Sequence, residues 1–285
     1  MYDVLSVGNA NIDLIVNDDK LPKKPEFFIK PGGSACNFAV GCARLGLKSG
    51  FLGFTGKDEF GSIIRKNLIK EKVKPLIKVV KDQTGFVVVF TKKRFKKFLK
   101  FEGANKYLHD LKLKNYLSKT KHLHLATPPL SLLKQARGSI SVDPGSRLSR
   151  YKLDELKPYL KKIDIFFPNE EEAKIITGYS YKRAARELFE AGVNVSIVKL
   201  GKGGCYLVSK DEEFHTKNLG YPPIDTTGAG DAFASAFISA WHKGKSLREA
   251  CEWAIISSNI CVTKLGAQNS ATLKELKQIK SFKCC

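Results

Sequence analysis

The sequence has no run of about 18 uninterrupted apolar residues, the length that a membrane-spanning helix requires. Its first residues, from Tyr2 to Gly8, have the pattern of a β-strand rather than that of a charged leader with an apolar stretch behind it. These two absences predict a soluble, cytoplasmic protein that makes no use of a membrane.

Cysteine occurs seven times, but without C-x-x-C spacing and in an odd number. A zinc site and a disulfide framework are therefore both disfavoured. Five of the thiols are predicted to be buried and to behave as small apolar side chains: Cys36, Cys42, Cys205, Cys251 and Cys261.

Two common nucleotide-binding patterns are also missing. No G-x-x-x-x-G-K-[ST] sequence occurs, because the segment 56–62 has both glycines but lacks the lysine. No G-x-G-x-x-G sequence follows the first strand. A P-loop ATPase is thereby excluded, and a dinucleotide-dependent enzyme is disfavoured.

The composition that remains is globular: 285 residues, of which 43% are apolar and 27% are charged. A chain of this length buries about three quarters of its unfolded surface, so we predict one domain over residues 1–285. Strand-length apolar runs alternate with helix-period segments, as in the strand 50–54 between the helices 34–45 and 59–72. This alternation predicts an α/β fold with a doubly wound, mainly parallel sheet flanked by helices, in which ligands lie beyond the carboxyl ends of the strands.

Two regions interrupt the alternation. Residues 84–90 and 95–101 are β-rich runs joined by a short basic turn, and residues 12–30 form an irregular stretch without helical period. Segments of about 12–30 and 84–102 are predicted to form a small β lid or dimerisation flap; a simple surface hairpin is the alternative. Phe86, Val88 and Phe90 share one strand face, where packing of the flap is favoured over contact with a ligand.

The charge of the chain is strongly positive, with 49 basic against 28 acidic residues and a net charge of +21. The excess is concentrated in residues 1–142, and the densest cluster, 92–100, carries six positive charges. Such a field attracts nucleic acids or anionic small molecules. A lysine-rich surface with a solvated hairpin tip is the simpler explanation.

The segment 225–237, Asp-Thr-Thr-Gly-Ala-Gly-Asp followed by an apolar run, carries the most specific signal. Helical spacing of the apolar residues predicts that a helix begins at about Gly230. The small residues ahead of it let backbone amides approach a phosphoryl group, whose charge the helix dipole favours. Asp231, in the first turn, is placed to accept the proton of an attacking hydroxyl. The alternative is a glycine-containing turn with an acid favourably placed at a helix start.

Two further segments carry polar residues at expected strand ends or helix starts. Gly32 and Gly33 open the first helix, and Asn37, one turn later, offers both a donor and an acceptor to a polyol. Asn169 and Glu172 match a helix capping box, which is the better explanation of that motif in isolation. The alternative is a magnesium site that acts through water.

Taken in order, these motifs resemble those of PfkB-type carbohydrate kinases of the ribokinase family. One block spans 32–61 and includes the glycine pair, Asn37 and Arg44-Leu45-Gly46; the other spans 225–237. The segments 169–172 and 264–268 fall in the corresponding order. The resemblance covers nearly the whole chain, and it implies a ribokinase-like α/β domain with a small β lid.

The resemblance also implies roles for individual residues. Asp231 is expected to be the catalytic base, with an anion hole formed by Gly228, Ala229 and Gly230. The acceptor hydroxyls are expected to contact Asn11, Asp13, Gly32, Gly33 and Asn37. Nucleotide binding is expected from Asn169, Lys199, Gly201, Gly203 and Thr227, and magnesium from Asn169 and Glu172, through water. A monovalent cation such as K⁺ is expected beside Asp225, Thr227, Cys261, Lys264, Gly266 and Ser270.

The resulting functional prediction is a kinase that uses ATP with Mg²⁺ to phosphorylate a primary hydroxyl of a sugar. A nucleoside and then a phosphosugar are the alternative acceptors. The resemblance further implies a homodimer formed through the lid. The hypothesis from another class is a nucleic-acid-binding protein on a kinase fold, which the charge suggests and the intact segment 228–231 disfavours.

Overall fold

The strands form two separate β-sheets in the computed structural model, which describes residues 1–17, 26–92 and 95–283. In these ranges the strands are β1 (Tyr2–Gly8), β2 (Asn11–Asn17), β3 (Glu26–Gly32), β4 (Ser49–Gly56), β5 (Lys74–Val80), β6 (Gly85–Lys92), β7 (Phe95–Phe101), β8 (Thr120–Ala126), β9 (Ser139–Asp143), β10 (Ile165–Phe166), β11 (Val195–Lys199), β12 (Cys205–Ser209) and β13 (Glu213–Thr216).

Helices fill most of the connections between the strands. They are α1 (Ser34–Arg44), α2 (Glu59–Lys70), α3 (Lys114–Leu117), α4 (Leu130–Gln135), α5 (Gly145–Leu148), α6 (Leu153–Leu160), α7 (Glu170–Thr177), α8 (Tyr181–Glu190), α9 (Ala229–His242), α10 (Leu247–Val262) and α11 (Leu273–Lys283), with 3₁₀ turns at Gly103–Asp110 and Gly201–Gly203. In this part of the chain, no helix is both long and apolar enough to cross a membrane.

The larger sheet has nine strands within the described ranges, in the order β13-β12-β11-β10-β9-β8-β1-β4-β5. The strands from β11 to β5 in that order are parallel, whereas β12 and β13 are added antiparallel at one edge. The predicted α/β fold with a mainly parallel, helix-flanked sheet is confirmed.

The two faces of this sheet are buried under different helices. Alternate residues of one strand enter different cores: Val4 belongs to the core that contains Phe237 of α9 and Trp253 of α10, whereas Leu5 belongs to the core that contains Leu156 of α6. Because both faces are covered, the central strands are apolar along their whole length, which is why their sequences do not alternate. The five cysteines predicted to be buried are free and buried.

The second sheet, which we call the small sheet, has the order β3-β2-β6-β7. The small β lid expected from about 12–30 and 84–102 is confirmed as a separate sheet, in which β2 and β3 pair antiparallel from Asn11↔Gly32 to Asn17↔Glu26. The predicted hairpin is confirmed as β6 and β7, but it is not isolated, since β6 also pairs parallel with β2. Residues 18–25 and 93–94, which include part of the basic cluster, lie outside the described residues.

Strand register gives the small sheet two distinct faces. Leu14, Ile29, Val88 and Leu99 are cross-strand partners and share one face. The neighbouring positions Asp13, Lys30, Val87 and Lys100 share the other. Successive side chains of a strand point to opposite sides, so the alternation separates an apolar face from a mixed one.

Asp58 connects α2 to the small sheet. Its Oδ1 accepts a hydrogen bond from the Gly61 amide at 2.8 Å and one from the Thr84 hydroxyl, and its Oδ2 accepts one from the Thr84 amide at 2.7 Å. These bonds outweigh the effect of burial and hold the pKa of Asp58 below its usual range. A Cβ on Gly61 would lie 2.6 Å from the Gly56 carbonyl oxygen, which explains why a glycine occupies position 61.

We predict that Asp58→Ala lowers the free energy of unfolding by about 2 kcal/mol, since it removes a helix cap and leaves the Thr84 amide without its acceptor. Urea unfolding at neutral pH measures the change. Asp154→Ala, which removes an exposed acid from the first turn of α6, is the control and changes stability much less. Equal effects of the two substitutions would contradict the structural role of Asp58.

Candidate active site

A cavity of about 660 Å³, the central cavity, lies where the parallel strands end. Asn9 follows β1, Thr127 follows β8, Asp143 ends β9 and Lys199 ends β11, and all four line the cavity. The small sheet supplies other lining residues: Asn11, Asp13, Val87, Val89, Lys100 and Phe101. The cavity is therefore at the carboxyl end of the sheet, where doubly wound folds bind ligands.

A second cavity of about 550 Å³, the side cavity, lies between the 3₁₀ turn at Gly201–Gly203, the loop 218–223, α9 and α10. Tyr221, Phe233 and Ile255 give it an apolar lining, and Asn259 adds a polar group. Lys199 and Gly230 line both cavities. The beginning of α9 thus stands between two compartments that together have room for two ligands.

The first turn of α9 depends on two glycines. Gly228 precedes the helix with φ 80°, and a Cβ there would lie 2.1 Å from the carbonyl oxygen of Ala267. At Gly230 a Cβ would come within 3.2 Å of the Lys199 ammonium. The first amides of a helix lack intrahelical acceptors, so this turn presents donors and a positive dipole end to the junction of the cavities.

Asp231 lies in that turn and lines the central cavity. Its Oδ2 accepts a hydrogen bond of 2.7 Å from the side-chain amide of Asn37. Burial and the nearby charge of Asp143 raise the pKa of Asp231 to about 7, against the opposing effects of Asn37 and Lys199. A carboxyl group with this pKa exchanges its proton at neutral pH, as a general base must.

Asn37 presents a buried hydrogen-bond acceptor that suits a ligand. Its position one turn into α1 is fixed by its amide, which donates to the Gly33 carbonyl at 2.9 Å. The side-chain oxygen, Oδ1, is buried and has no hydrogen-bond partner among the described residues. A buried acceptor without a partner is costly, so a hydroxyl donor bound in the cavity would satisfy it.

Lys199 is surrounded by acids. Its ammonium donates a hydrogen bond to Asp143, and both side chains are almost completely buried. Burial alone would lower the pKa of Lys199, but the charges of Asp143 and Glu172 raise it, so the lysine stays charged. A buried cation is thereby held beside Gly230 and Asp231.

Asn169 and Glu172 form the predicted capping box at the start of α7. The Glu172 amide donates to Asn169 Oδ1 at 2.8 Å, and the Asn169 amide donates to Glu172 Oε2 at 2.9 Å. Glu172 lines the central cavity, whereas Asn169 lines neither cavity. The structure therefore explains Asn169 by capping, which positions Glu172.

The acids around Glu172 fit a divalent cation that keeps its water. Burial and the charge of Asp143 raise the pKa of Glu172, which marks an excess of negative charge at this point. Among the described residues, no group of three or more His, Cys, Asp or Glu side chains forms a metal-binding cluster. Mg²⁺ usually retains several waters in its coordination shell, so Glu172 and Asp143 would hold it through water.

The residues expected around a monovalent cation are only partly brought together. Asp225 Oδ1 accepts from the Thr227 amide at 2.9 Å, and Oδ2 accepts from the Gly266 amide at 3.0 Å. The Cys261 thiol lies 3.7 Å from the Thr227 carbonyl oxygen. Lys264 instead pairs with Glu275 at 3.4 Å, and the Ser270 carbonyl accepts from Arg44 at 3.2 Å. A potassium site stays a prediction.

Most residues selected from the sequence line one of the cavities. Those in the central cavity are Asn11, Asp13, Gly33, Asn37, Glu172, Lys199, Thr227, Gly228, Gly230 and Asp231, and those in the side cavity are Lys199, Gly201, Ala229 and Gly230. The selected residues that line neither cavity are Gly32, Asn169, Gly203, Asp225, Cys261, Lys264, Gly266 and Ser270. A Cβ on Gly32 would lie 2.4 Å from the Asp13 carboxylate, so this glycine makes room for Asp13.

Several lining residues were not selected from the sequence. Asp143 and Thr127 directly end or follow parallel strands, and that position was the available signal. Val87 and Val89 line the cavity, whereas Phe86 and Val88 do not. Phe86 instead packs on Phe60 and Phe101, which agrees with the packing role that was favoured.

A sequence model described as "pfkB family carbohydrate kinase" matches residues 1–274. The chain belongs to this family. An uncharacterized sugar kinase from Archaeoglobus fulgidus is 28% identical over 242 residues, which cover 80% of this chain and 97% of that protein. A deoxyribokinase from Salmonella typhi is 29% identical over 294 residues, which cover 94% of this chain and 95% of that protein.

The fold is also that of solved PfkB relatives. A ribokinase structure from Thermotoga maritima superposes with a TM-score of 0.86 and 29% identity, over 99% of this chain and 100% of that chain. Membership of the PfkB family makes the chain a phosphotransferase homologue whose relatives act on alcohol groups of sugars. The family does not fix which acceptor this chain uses.

We predict that the Asp231 carboxyl titrates with a midpoint near pH 7, measured from the ¹³C shift of its carboxyl carbon. Because its pKa is higher than the 3.8 of an ordinary aspartate, this group favours the folded state below about pH 4 and loses that contribution as the pH rises through 7. Asn37→Ala removes a donor to the carboxylate and moves the midpoint upward.

Comparison with Asp231→Asn identifies the carboxyl ¹³C resonance of Asp231, because the variant lacks that carboxyl group. Asn194→Ala removes an exposed donor to a different aspartate, Asp164, and leaves the Asp231 midpoint unchanged. A midpoint near 4 in the unmodified protein would contradict the environment described for Asp231.

Proposed function

We propose that the protein transfers the γ-phosphoryl group of ATP to a primary hydroxyl of a sugar. The observation that carries this proposal is the position of Asp231, which lies in the turn between two cavities of ligand size. The side cavity suits the nucleotide base and ribose, since it is largely apolar with a few polar groups. The central cavity suits a polyol, since amide and carboxylate groups of Asn11, Asp13 and Asn37 line it.

The reaction follows from this arrangement. The acceptor hydroxyl gives its proton to Asp231, its oxygen forms a bond to the γ-phosphorus, and the bond from that phosphorus to the β–γ bridging oxygen breaks, so ADP leaves with the electron pair. The transition state is loose and carries its charge on peripheral oxygens, so positioning and electrostatics supply most of the acceleration.

Groups at the start of α9 would stabilise that charge. The amides around Gly228, Ala229 and Gly230 form the anion hole, and the Lys199 ammonium beside Gly230 adds a fixed positive charge. Thr227 borders the same turn. Magnesium, held through water by Glu172 and Asp143, would neutralise charge on the nucleotide phosphates when bound.

A cytoplasmic location of the protein stays a prediction.

We predict that Asp231→Asn lowers kcat for phosphoryl transfer by about 10²–10⁴-fold and changes the KM of the acceptor little, because it keeps the shape of the side chain and removes the base. Steady-state kinetics with product identification measures both constants. Asp211→Asn, which changes an exposed acid outside both cavities, is the control. Turnover of Asp231→Asn close to that of the control would refute the role of Asp231.

We also propose that residues 1–285 act as one catalytic domain and that the small sheet is its lid. The apolar face of the small sheet would then form a homodimer interface. Phe27, Ile29 and Leu99 are 68%, 54% and 52% exposed and lie on this face. Contiguous exposed apolar side chains of this kind mark interaction surfaces. The opposite face of the small sheet lines the central cavity, so dimerisation would hold this wall of the acceptor site in place.

The combined change Phe27→Lys and Leu99→Lys is predicted to convert a dimer to a monomer, because it places charges in a desolvated contact. Sedimentation velocity gives the mass in solution. Ile69→Lys is the matched control, since Ile69 is 56% exposed on α2 and lies off the small sheet. A monomeric unmodified protein, or a dimer that survives the double change, would rule out this interface.

A further inference from the structure

The charged side chains that line the central cavity include a group of cations as well as acids. Asp143 and Asp13 both act electrostatically on Asp231, and Lys199 opposes them near the beginning of α9. A different group contains Lys100, Arg147 and Arg150, opposed within the cavity lining by Glu102. This second group, which we call the basic wall, carries more positive than negative charge.

Arg147 is a mostly buried, hydrogen-bonded member of the basic wall. Its side chain is only 12% exposed. Nη1 donates to Asn9 Oδ1 at 3.3 Å and to the Thr127 carbonyl at 3.4 Å, and Nη2 donates to Glu102, which follows β7. A guanidinium has five N–H donors, so donors remain for a ligand.

Thr127, whose carbonyl accepts from Arg147, has a strained backbone conformation. Thr127 has φ 49°, a conformation that a β-branched residue rarely adopts. A Cβ on Gly145 would lie 2.3 Å from Thr127 Oγ1, so a glycine is needed opposite the strained residue. Strain of this kind persists where the surrounding structure enforces it and is concentrated at functional sites.

The side chains of Arg150 and Lys100 are exposed and line the same cavity, and neither side chain makes an ion pair or a hydrogen bond within the described part of the chain. These two cations line the cavity together with the fixed Arg147. A neutral sugar does not need them, because Asn11, Asp13 and Asn37 supply groups that bind hydroxyls. Arginine pairs most strongly with a carboxylate or a phosphate, often through two parallel hydrogen bonds.

We propose that the acceptor carries an anionic group, a phosphate or a carboxylate, at the end remote from the hydroxyl that is phosphorylated, and that Arg147 and Arg150 bind this group with help from Lys100. The inference rests on the proposed function and narrows its substrate class. The acceptor then spans the cavity from Asp231 to the basic wall, with its hydroxyls against the residues between them.

The first experiment compares kcat/KM for neutral and anionic acceptors with ATP and Mg²⁺. Fructose, ribose and adenosine are the neutral acceptors; fructose 6-phosphate and 2-keto-3-deoxygluconate are the anionic ones, and they distinguish phosphate from carboxylate. We expect one anionic acceptor to exceed every neutral acceptor by about tenfold or more. A neutral acceptor that is used as well or better overturns the inference and leaves the kinase proposal intact. Phosphorylation of none of the five overturns both.

The second experiment assigns the preference to the basic wall. Arg150→Gln is expected to lower the ratio of kcat/KM for the anionic acceptor to that for a neutral one by about tenfold or more, since it removes a charged hydrogen bond. Arg150→Lys, which keeps the charge, is expected to restore part of the ratio. Arg65→Gln, an exposed arginine of α2 outside the cavity, is the control and leaves the ratio unchanged. An Arg150→Gln ratio equal to that of the control overturns the assignment.

Discussion

The site depends on how closely the backbone of residues 228–231 approaches Ala267 and Lys199. Gly228 turns the chain in a left-handed conformation against the Ala267 carbonyl, and Gly230 leaves space for the Lys199 ammonium. A Cβ at position 228 would require the backbone of Ala267 to move, and one at position 230 would press on the end of the Lys199 side chain. The first turn of α9 can therefore present backbone amides, a buried cation and the Asp231 carboxylate at the junction of the two cavities.

The buried charged groups at this junction shift one another's pKa values. Burial and the charge of Asp143 raise the pKa of Asp231 to about 7, while Asn37 and Lys199 limit the rise. Lys199 remains charged because the same acids surround it. Isolated buried charges are costly, but a cluster of opposite charges partly compensates itself and suits the binding of phosphates and a divalent cation.

Sequence patterns predicted the parts of the protein that depend on local interactions. The capping box of Asn169 and Glu172, the glycines before α9 and the alternation of strands and helices are set by neighbouring residues, and the structure confirms them. The pairing of β2 with β6 joins segments about 70 residues apart, and no local pattern encodes it. Thr127 and Arg147 were missed for the same reason, since their contact depends on how separate loops meet at the end of the sheet.

A crystal structure of the protein with a non-hydrolysable ATP analogue, Mg²⁺ and the acceptor identified by kinetics tests the role of Asp231 most directly. We expect the γ-phosphate beside the amides of Gly228–Gly230 and the reacting hydroxyl within hydrogen-bonding distance of an Asp231 carboxylate oxygen. A reacting hydroxyl that contacts a different base, or a nucleotide whose phosphates point away from the start of α9, would contradict it.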